Sequence, residues 1–340
     1  MSQSEATLEF AEFQESKSLA QKAQGLLHKY PSLSPALVLI ISVTVFGFLN
    51  PNFKDPFNLS LILQQVAVVG AIAIGQTLII LTAGIDLSCG AIAVFASMVM
   101  AKTAFEHHIP AGIAFIIGLM AGTAAGAFNG FLITKVKLPP FIVTLGTYNV
   151  FTAFTLLYAT GRTVRDTELA PALVSLGAVI HLGAFNITYG VLVMIAMYLV
   201  LAYALRYTAW GRHVYATGDD KEAARLAGIR TDRVIMSVYM VAGLIFAITA
   251  WILIGRVNAA SPNSGIDLNL DSITAVVIGG TSLFGGRGRI IGSLLGAIIV
   301  GVFRSGLTLA GLDPYYQTLA VGILIISAVT IDQWIRKARK

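Results

Sequence analysis

Asp86 and Ser88 close the run Gly84-Ile85-Asp86-Leu87-Ser88, which follows a long apolar stretch. A carboxylate there has two available roles. It can cap the next helix by accepting from its free N–H groups, or offer acceptors to a polar solute such as a polyol, whose hydroxyls pair well with carboxylates and amides. Asp267, in the matching run Gly265-Ile266-Asp267-Leu268-Asn269, has the same two options. Asn129 brings a carboxamide into an apolar segment, where it needs a partner on a neighbouring helix or along a polar path. Thr144, Tyr148 and Asn149 cluster with Thr147 within two turns, and Gln76 shares an earlier segment with Gln64 and Gln65. Both segments are too polar for helices that face only lipid, although a threonine can bond back to its own helix. Gln76, Asp86, Asn129, Thr144, Tyr148, Asn149 and Asp267 are therefore the candidates for lining a solute path.

No constellation for bond-making chemistry is visible. The single cysteine, Cys89, excludes an intramolecular disulfide and a thiolate metal cluster, and the five histidines are scattered without zinc spacing. There is no GxSxG elbow. Neither an enzyme nor a metal site is expected.

The elements that must carry these residues are membrane spans. Of 340 residues, 56% are apolar and 12% charged, against about 25% charged in an ordinary globular domain. Mean hydropathy is +0.80. A span takes about 20 apolar residues, so the chain holds roughly ten with short connections. That excludes a large extramembrane enzyme domain and leaves the energy source to a partner or an ion gradient. The net charge of +6 does not point to nucleic acid, because the basic residues occupy short loops between apolar runs, as cytoplasmic loops do.

Ten spans are expected at roughly 35–49, 61–82, 88–103, 111–134, 140–160, 187–205, 234–255, 272–285, 290–310 and 316–334. The stretch 170–186 reads as an extracytoplasmic loop or partial helix. With the N-terminus inside, the inner segments hold seventeen Lys and Arg residues and the outer ones five. This asymmetry predicts both termini in the cytoplasm. The expected organisation is a cytoplasmic tail over 1–34 with no secretory signal peptide, a transmembrane domain over 35–335 with a cytoplasmic loop at 206–233, and a basic tail over 336–340. The fold class is an all-α polytopic membrane protein.

Two echoes suggest an internal repeat. The Gly-Ile-Asp-Leu run occurs after the second span and again after the seventh, and Gly122-Thr-Ala-Ala-Gly-Ala is matched by Gly292-Ser-Leu-Leu-Gly-Ala. An offset of five spans is odd, so the copies face opposite ways, as inverted-topology repeats do. Gly118, Gly122, Gly126 and Gly130 recur every fourth position and line one helix face for close packing.

The loop 206–233 contains Glu222-Ala223-Ala224-Arg225-Leu226-Ala227-Gly228. Glu222 to Leu226 form helix readily, and Gly228 can end that helix in a left-handed conformation. This run fits EAAxxxG, the cytoplasmic loop motif of ABC importer permeases. Four further runs resemble signatures of the ribose, xylose and fructose type permeases of bacterial ABC importers: Gly84 to Ser88, Leu138 to Gly146, Gly211-Arg212-His213-Val214-Tyr215-Ala216-Thr217-Gly218, and Ala275 to Gly288. The resemblance covers about residues 35–334. The wider ABC pattern continues to Ile-x-Leu-Pro after the glycine; this is absent here, as it usually is in the sugar branch.

The resemblance implies a homodimeric permease in the bacterial inner membrane, cytoplasmic ABC ATPase subunits and a periplasmic sugar-binding protein. ATP and Mg would sit on the ATPase, since this chain has no GxxxxGK(S/T) loop and no cofactor of its own. It also implies that Gly211, Arg212, Glu222, Ala223, Ala224 and Gly228 couple the chain to the ATPase. The expected cargo is a monosaccharide, with fructose or ribose favoured. The alternatives are another small polar solute, such as a branched-chain amino acid or a signalling furanose, and a gradient-driven secondary transporter for which Asp86 is the one core titratable group.

Overall fold

The computed structural model describes residues 33–265 and 267–337. Nearly all of the expected tail over 1–34, the end of the 336–340 tail and Ile266 of the second repeat run lie outside these residues.

A helix stands at each of the ten expected positions. In chain order these are α1 (Leu33–Leu49), α2 (Pro56–Leu81), α3 (Cys89–Phe105), α4 (Ala111–Thr134) and α5 (Pro140–Ala159), then α7 (Tyr189–Tyr207), α10 (Thr231–Val257), α11 (Leu268–Ile278), α12 (Ile290–Leu309) and α13 (Pro314–Lys337). Six of them, α2, α4, α5, α7, α10 and α12, are long and apolar enough to cross a membrane. Short helices α6 (Pro171–Val174), α8 (Ala209–Asp219) and α9 (Lys221–Leu226) occupy the connections.

The expected eighth span, 272–285, is corrected. Its helix is α11, which starts earlier and has 11 residues, about 16 Å of rise against a hydrocarbon core of about 30 Å. No charged residue follows Ile278 until Arg287, but Gly280 adopts φ +83°, and Gly280 N–H and Thr281 N–H return to the Val277 and Val276 carbonyls. This double return stops the helix regardless of hydropathy. The 170–186 stretch is α6, a 3-10 turn over Ser175–Gly177 and the start of a hairpin. That hairpin pairs β2 (Val179–Leu182) with β3 (Phe185–Thr188), and β1 (Val164–Arg165) pairs antiparallel with β4 (Ala259–Ala260).

Helices α2 and α10 form the middle of the molecule. Every residue of α2 from Val66 to Leu81 is buried, as expected for a helix apolar on all sides and surrounded by others. Around this pair the packing has a twofold regularity. Helix α4 lies on α10 and α12 on α2; α3 contacts α4, α5 and α10, while α11 contacts α12, α13 and α2. Helix α4 also meets α5, and α12 meets α13. Exchanging α2–α5 with α10–α13 leaves these pairings unchanged.

Glycine sets the close approaches. A Cβ on Gly126 would overlap the Tyr239 carbonyl oxygen and lie 2.9 Å from Gly243 Cα; one on Gly122 would lie 2.6 Å from Ala247 Cβ. Gly130 faces Met236 and Tyr239, also on α10, whereas Gly118 faces Met100 and Ala96 of α3. The echoed glycines behave likewise between α12 and α11, with Gly292 against Gly279 and Gly296 against Ala275.

Alanine normally stabilises a helix interior by about 1 kcal/mol over glycine. Gly126→Ala is expected to have the opposite sign, losing about 1–3 kcal/mol to overpacking and lowering the thermal unfolding midpoint in detergent. Gly112→Ala, with nothing within 4 Å of its Cβ, should not lower it. A Gly126→Ala protein as stable as the parent would mean that α4 and α10 are not held at this distance.

Candidate functional site

Two helices start inside the molecule. Seven residues after α2 lead back to the first residue of α3, and the segment after α10 leads back to α11. Each start leaves N–H groups without intrahelical partners. Ahead of α3, Asp86 Oδ1 accepts from the Ser88 N–H and the Ser88 hydroxyl, both at 2.6 Å, which shapes the turn that leads into the helix, while Ser88 at the N-cap position makes no side-chain cap. Ser88 Oγ in turn accepts from Asn129 Nδ2 at 2.9 Å, tying α4 to the turn. Thr144 of α5 donates to the Ile85 carbonyl at 3.0 Å. Asp86, Ser88, Asn129 and Thr144 are all at most 1% exposed.

The two Gly-Ile-Asp-Leu runs meet here. Asn269 Nδ2 donates to the Leu87 carbonyl at 3.3 Å, and Cys89 Sγ lies 3.6 Å from Ser272 Oγ. A Cβ on Gly90 would lie 3.4 Å from both the Asn269 nitrogen and the Gly265 carbonyl. The second run differs from the first in its charge. Arg304 of α12 reaches Asp271 at 2.8 Å and Asp267 at 3.6 Å, so Asp271 is buried with a partner while Asp267 is half-exposed. Sequence reasoning missed Asp271; its signal was Arg304, a cation inside an apolar helix, which demands an anion nearby.

The expected path residues therefore divide. Asp86, Asn129 and Thr144 join one buried network. Gln76 is fully buried, and neither its amide nitrogen nor its oxygen has a hydrogen-bond partner among the described residues; Asn129 Oδ1 and the Tyr239 hydroxyl also lack one there. Tyr148 is half-buried, and Asn149 is exposed, bonding back to the Leu145 carbonyl of its own helix. A groove of about 570 Å³ lies elsewhere: it is apolar and runs between Leu176 and the Tyr189, Leu192 and Ala196 side of α7.

The segment between α7 and α10 forms a second surface. Thr208 Oγ1 caps α8 through Gly211 N–H, and Asp220 Oδ1 caps α9 through the Glu222 and Ala223 N–H groups, each at 2.9 Å. Gly228, at φ +87°, ends α9, with Gly228 and Ile229 N–H returning to the Arg225 and Ala224 carbonyls. Ala224 faces inward. Glu222, Ala223, Arg225 and Gly228 are exposed, Glu222 pairs with Arg225 at 2.9 Å, and Leu226 is 86% exposed. Arg212 is exposed too, but Gly211 is buried where a Cβ would overlap the Leu205 carbonyl oxygen. Gly211 thus packs within its own chain. Asp232 at the start of α10 binds both Lys221 and Lys137, which fixes this segment to the α4–α5 turn.

Residues 58–329 match the family described as branched-chain amino acid transport system / permease component. The chain is 50% identical to the fructose import permease protein FrcC of Rhizobium meliloti over 94% of this chain and 90% of that protein. It is 41% identical to the ribose import permease protein RbsC of Bacillus subtilis, over 91% and 94% respectively. With the galactose/methyl galactoside import permease protein MglC of Escherichia coli the identity is 32%, over 89% and 94%.

If the Asp86 turn holds the start of α3, Asp86→Ala removes an acceptor from two donors and should cost about 1–3 kcal/mol. Asp86→Asn keeps an oxygen at the same place and should cost much less. Thermal midpoints of the purified proteins compare the two directly; equal midpoints would remove this role from Asp86.

Proposed function

Since the chain belongs to the branched-chain amino acid transport system / permease component family, we propose that it is the membrane permease subunit of a bacterial ABC importer that carries a monosaccharide across the inner membrane. The observation that carries this reading is the 50% identity with a fructose import permease across nearly the full length of both chains. Fructose or ribose is the favoured cargo. ATP would be hydrolysed by separate cytoplasmic subunits, sugar would arrive from a periplasmic binding protein, and a second copy of this chain would complete the channel. The burial of Asp86, Asn129 and Gln76 inside one subunit supports a path between two copies rather than through one.

The arrangement in the membrane is part of the same proposal. Ten helical segments, both termini in the cytoplasm and two inverted repeats, 56–159 and 231–337, account for the seventeen-to-five charge asymmetry and for the exchange symmetry of the helix contacts. In this arrangement α3 and α11 are half-helices whose N-terminal ends meet within the bilayer, and α8 and α9 lie in the cytoplasm with Glu222 and Leu226 turned towards the ATPase.

Transport is tested by uptake of labelled D-fructose and D-ribose, each in competition with other sugars and with leucine, in cells carrying the whole transporter. Sugar uptake abolished by loss of ATP is expected. Glu222→Lys should also abolish it, together with stimulated ATP hydrolysis, since a like-charge clash at an interface costs several kcal/mol. So should Gly228→Val, which forces a β-branched residue into a left-handed conformation. Leucine uptake, or sugar uptake driven by an ion gradient without ATP, would refute the reading.

Topology has its own test. With Cys89 replaced, a single cysteine at Thr167 should react with an impermeant thiol reagent in intact cells. One at Asp219, which is exposed, should react only after permeabilisation. The reverse pattern would exclude the ten-segment arrangement.

A further inference from the structure

The runs Gly211 to Gly218 and Ala275 to Gly288 lie more than fifty residues apart in the chain. In the structure they are pressed against each other and against the end of α2. A Cβ on Gly218 would overlap the Leu81 carbonyl oxygen and lie 2.8 Å from the Gly286 nitrogen. That same Leu81 carbonyl accepts from Gly286 N–H at 3.0 Å. Gly285 and Gly286 both have positive φ, +84° and +67°; a Cβ on the first would lie 2.8 Å from Ala83 Cβ, and on the second 2.6 Å from Asp219 Cα. Tyr215, one turn earlier on α8, donates to the Gly288 carbonyl at 3.0 Å. Burial raises the pKa of its hydroxyl above the ordinary value against the opposing charge of Arg289, so the hydroxyl keeps its proton at physiological pH.

Three chain segments thus share one contact: the end of α8, the loop between α11 and α12, and the last turn of α2. None of them has room to slide, because backbone touches backbone where side chains would otherwise yield. Eight residues beyond Leu81 lies Cys89, the start of α3, and the turn between them is braced by Asp86, Ser88 and Asn129. The start of α3 in turn touches α11, whose far end leads into the same glycine loop. The path from α8 to the buried centre is contiguous in both directions.

We propose that Tyr215 and Gly218 form a clasp that carries displacement of the α8–α9 segment into the end of α2 and the 279–289 loop, and so to the meeting point of α3 and α11. Tyr215 is then a positioning residue for transport. This rests on the importer reading above, in which α9 is moved by the ATPase.

The test uses the complete transporter in lipid nanodiscs and proteoliposomes, with whichever of D-fructose and D-ribose the wild type takes up. Tyr215→Phe removes one hydroxyl and should leave membrane insertion and basal ATP hydrolysis unchanged. Sugar delivered per ATP hydrolysed should fall about fivefold, the factor that an ordinary hydrogen bond is worth. Gly218→Ala should lower it further; if that variant fails to insert, Tyr215→Phe still decides. Hydrogen exchange over 82–90 should change in the wild type when nucleotide is trapped on the ATPase with vanadate, and that change should be lost in Tyr215→Phe. Retention of the wild-type transport ratio, retention of the exchange change, or its absence from the wild type overturns the proposal. A wild-type transporter that hydrolyses ATP without moving sugar would count against the importer reading instead, and the exchange measurement would still judge the clasp.

Discussion

Starting a helix in the dry interior of a protein is the constraint on which the rest of this structure depends. The first N–H groups of any helix lack intrahelical partners, and in an apolar interior no water replaces them. Helix α3 begins in such a place, whereas α11 begins beside the half-exposed Asp267. At α3 the Asp86 carboxylate takes up the Ser88 N–H and hydroxyl, and Asn129 reaches across from α4 to the same serine. At the start of α11, Asn269 Oδ1 accepts from the Leu270 N–H, and Asp271 in the first turn pairs with Arg304. The two copies of the run thus carry different polar partners at the helix starts they precede.

The second constraint is distance. The Asn129–Ser88 bond requires α4 to come near the start of α3, and α4 can do so only by lying almost backbone to backbone on α10. Gly122 and Gly126 against Gly243 make that approach possible. The polar network and the glycine stripe are therefore one design: the stripe sets the spacing and the network consumes it. Close packing of this kind is how helices associate when neighbouring lipid is as apolar as the side chains.

Most of the helices were legible in the sequence, because each is an apolar run bounded by polar or helix-stopping residues; α4 and α5 fall where hydropathy alone predicts. The end of α11 was not legible that way, since only uncharged residues follow Ile278 up to Arg287 while Gly279 and Gly280 turn the chain. The Asp86–Ser88 turn could be read from the spacing of the two residues ahead of an apolar run. The contact of Asn269 with Leu87, and of Gly218 with Leu81, could not. These join residues more than a hundred positions apart, and nothing local in either segment encodes its partner. Gln76 was read correctly as anomalous for a lipid-facing helix, yet it proves to be buried deep in α2.

Rigid contact and conformational change are compatible here because they occupy different places. The places where glycine permits backbone contact, α4 on α10, α11 on α12 and α8 on α2, have no side-chain layer to deform, so each pair must move together. The segments 82–88 and 258–265 lie between these rigid pairs and are not helical. Ala83 and Asn258 take positive φ just after α2 and α10, at 60° and 52°, conformations that cost a non-glycine residue on the order of 1 kcal/mol. Each of these connections leads into an interrupted helix. A force applied at α8 would meet stiff packing until it reached those two turns, and the helices that start beyond them are the ones whose ends touch at the centre.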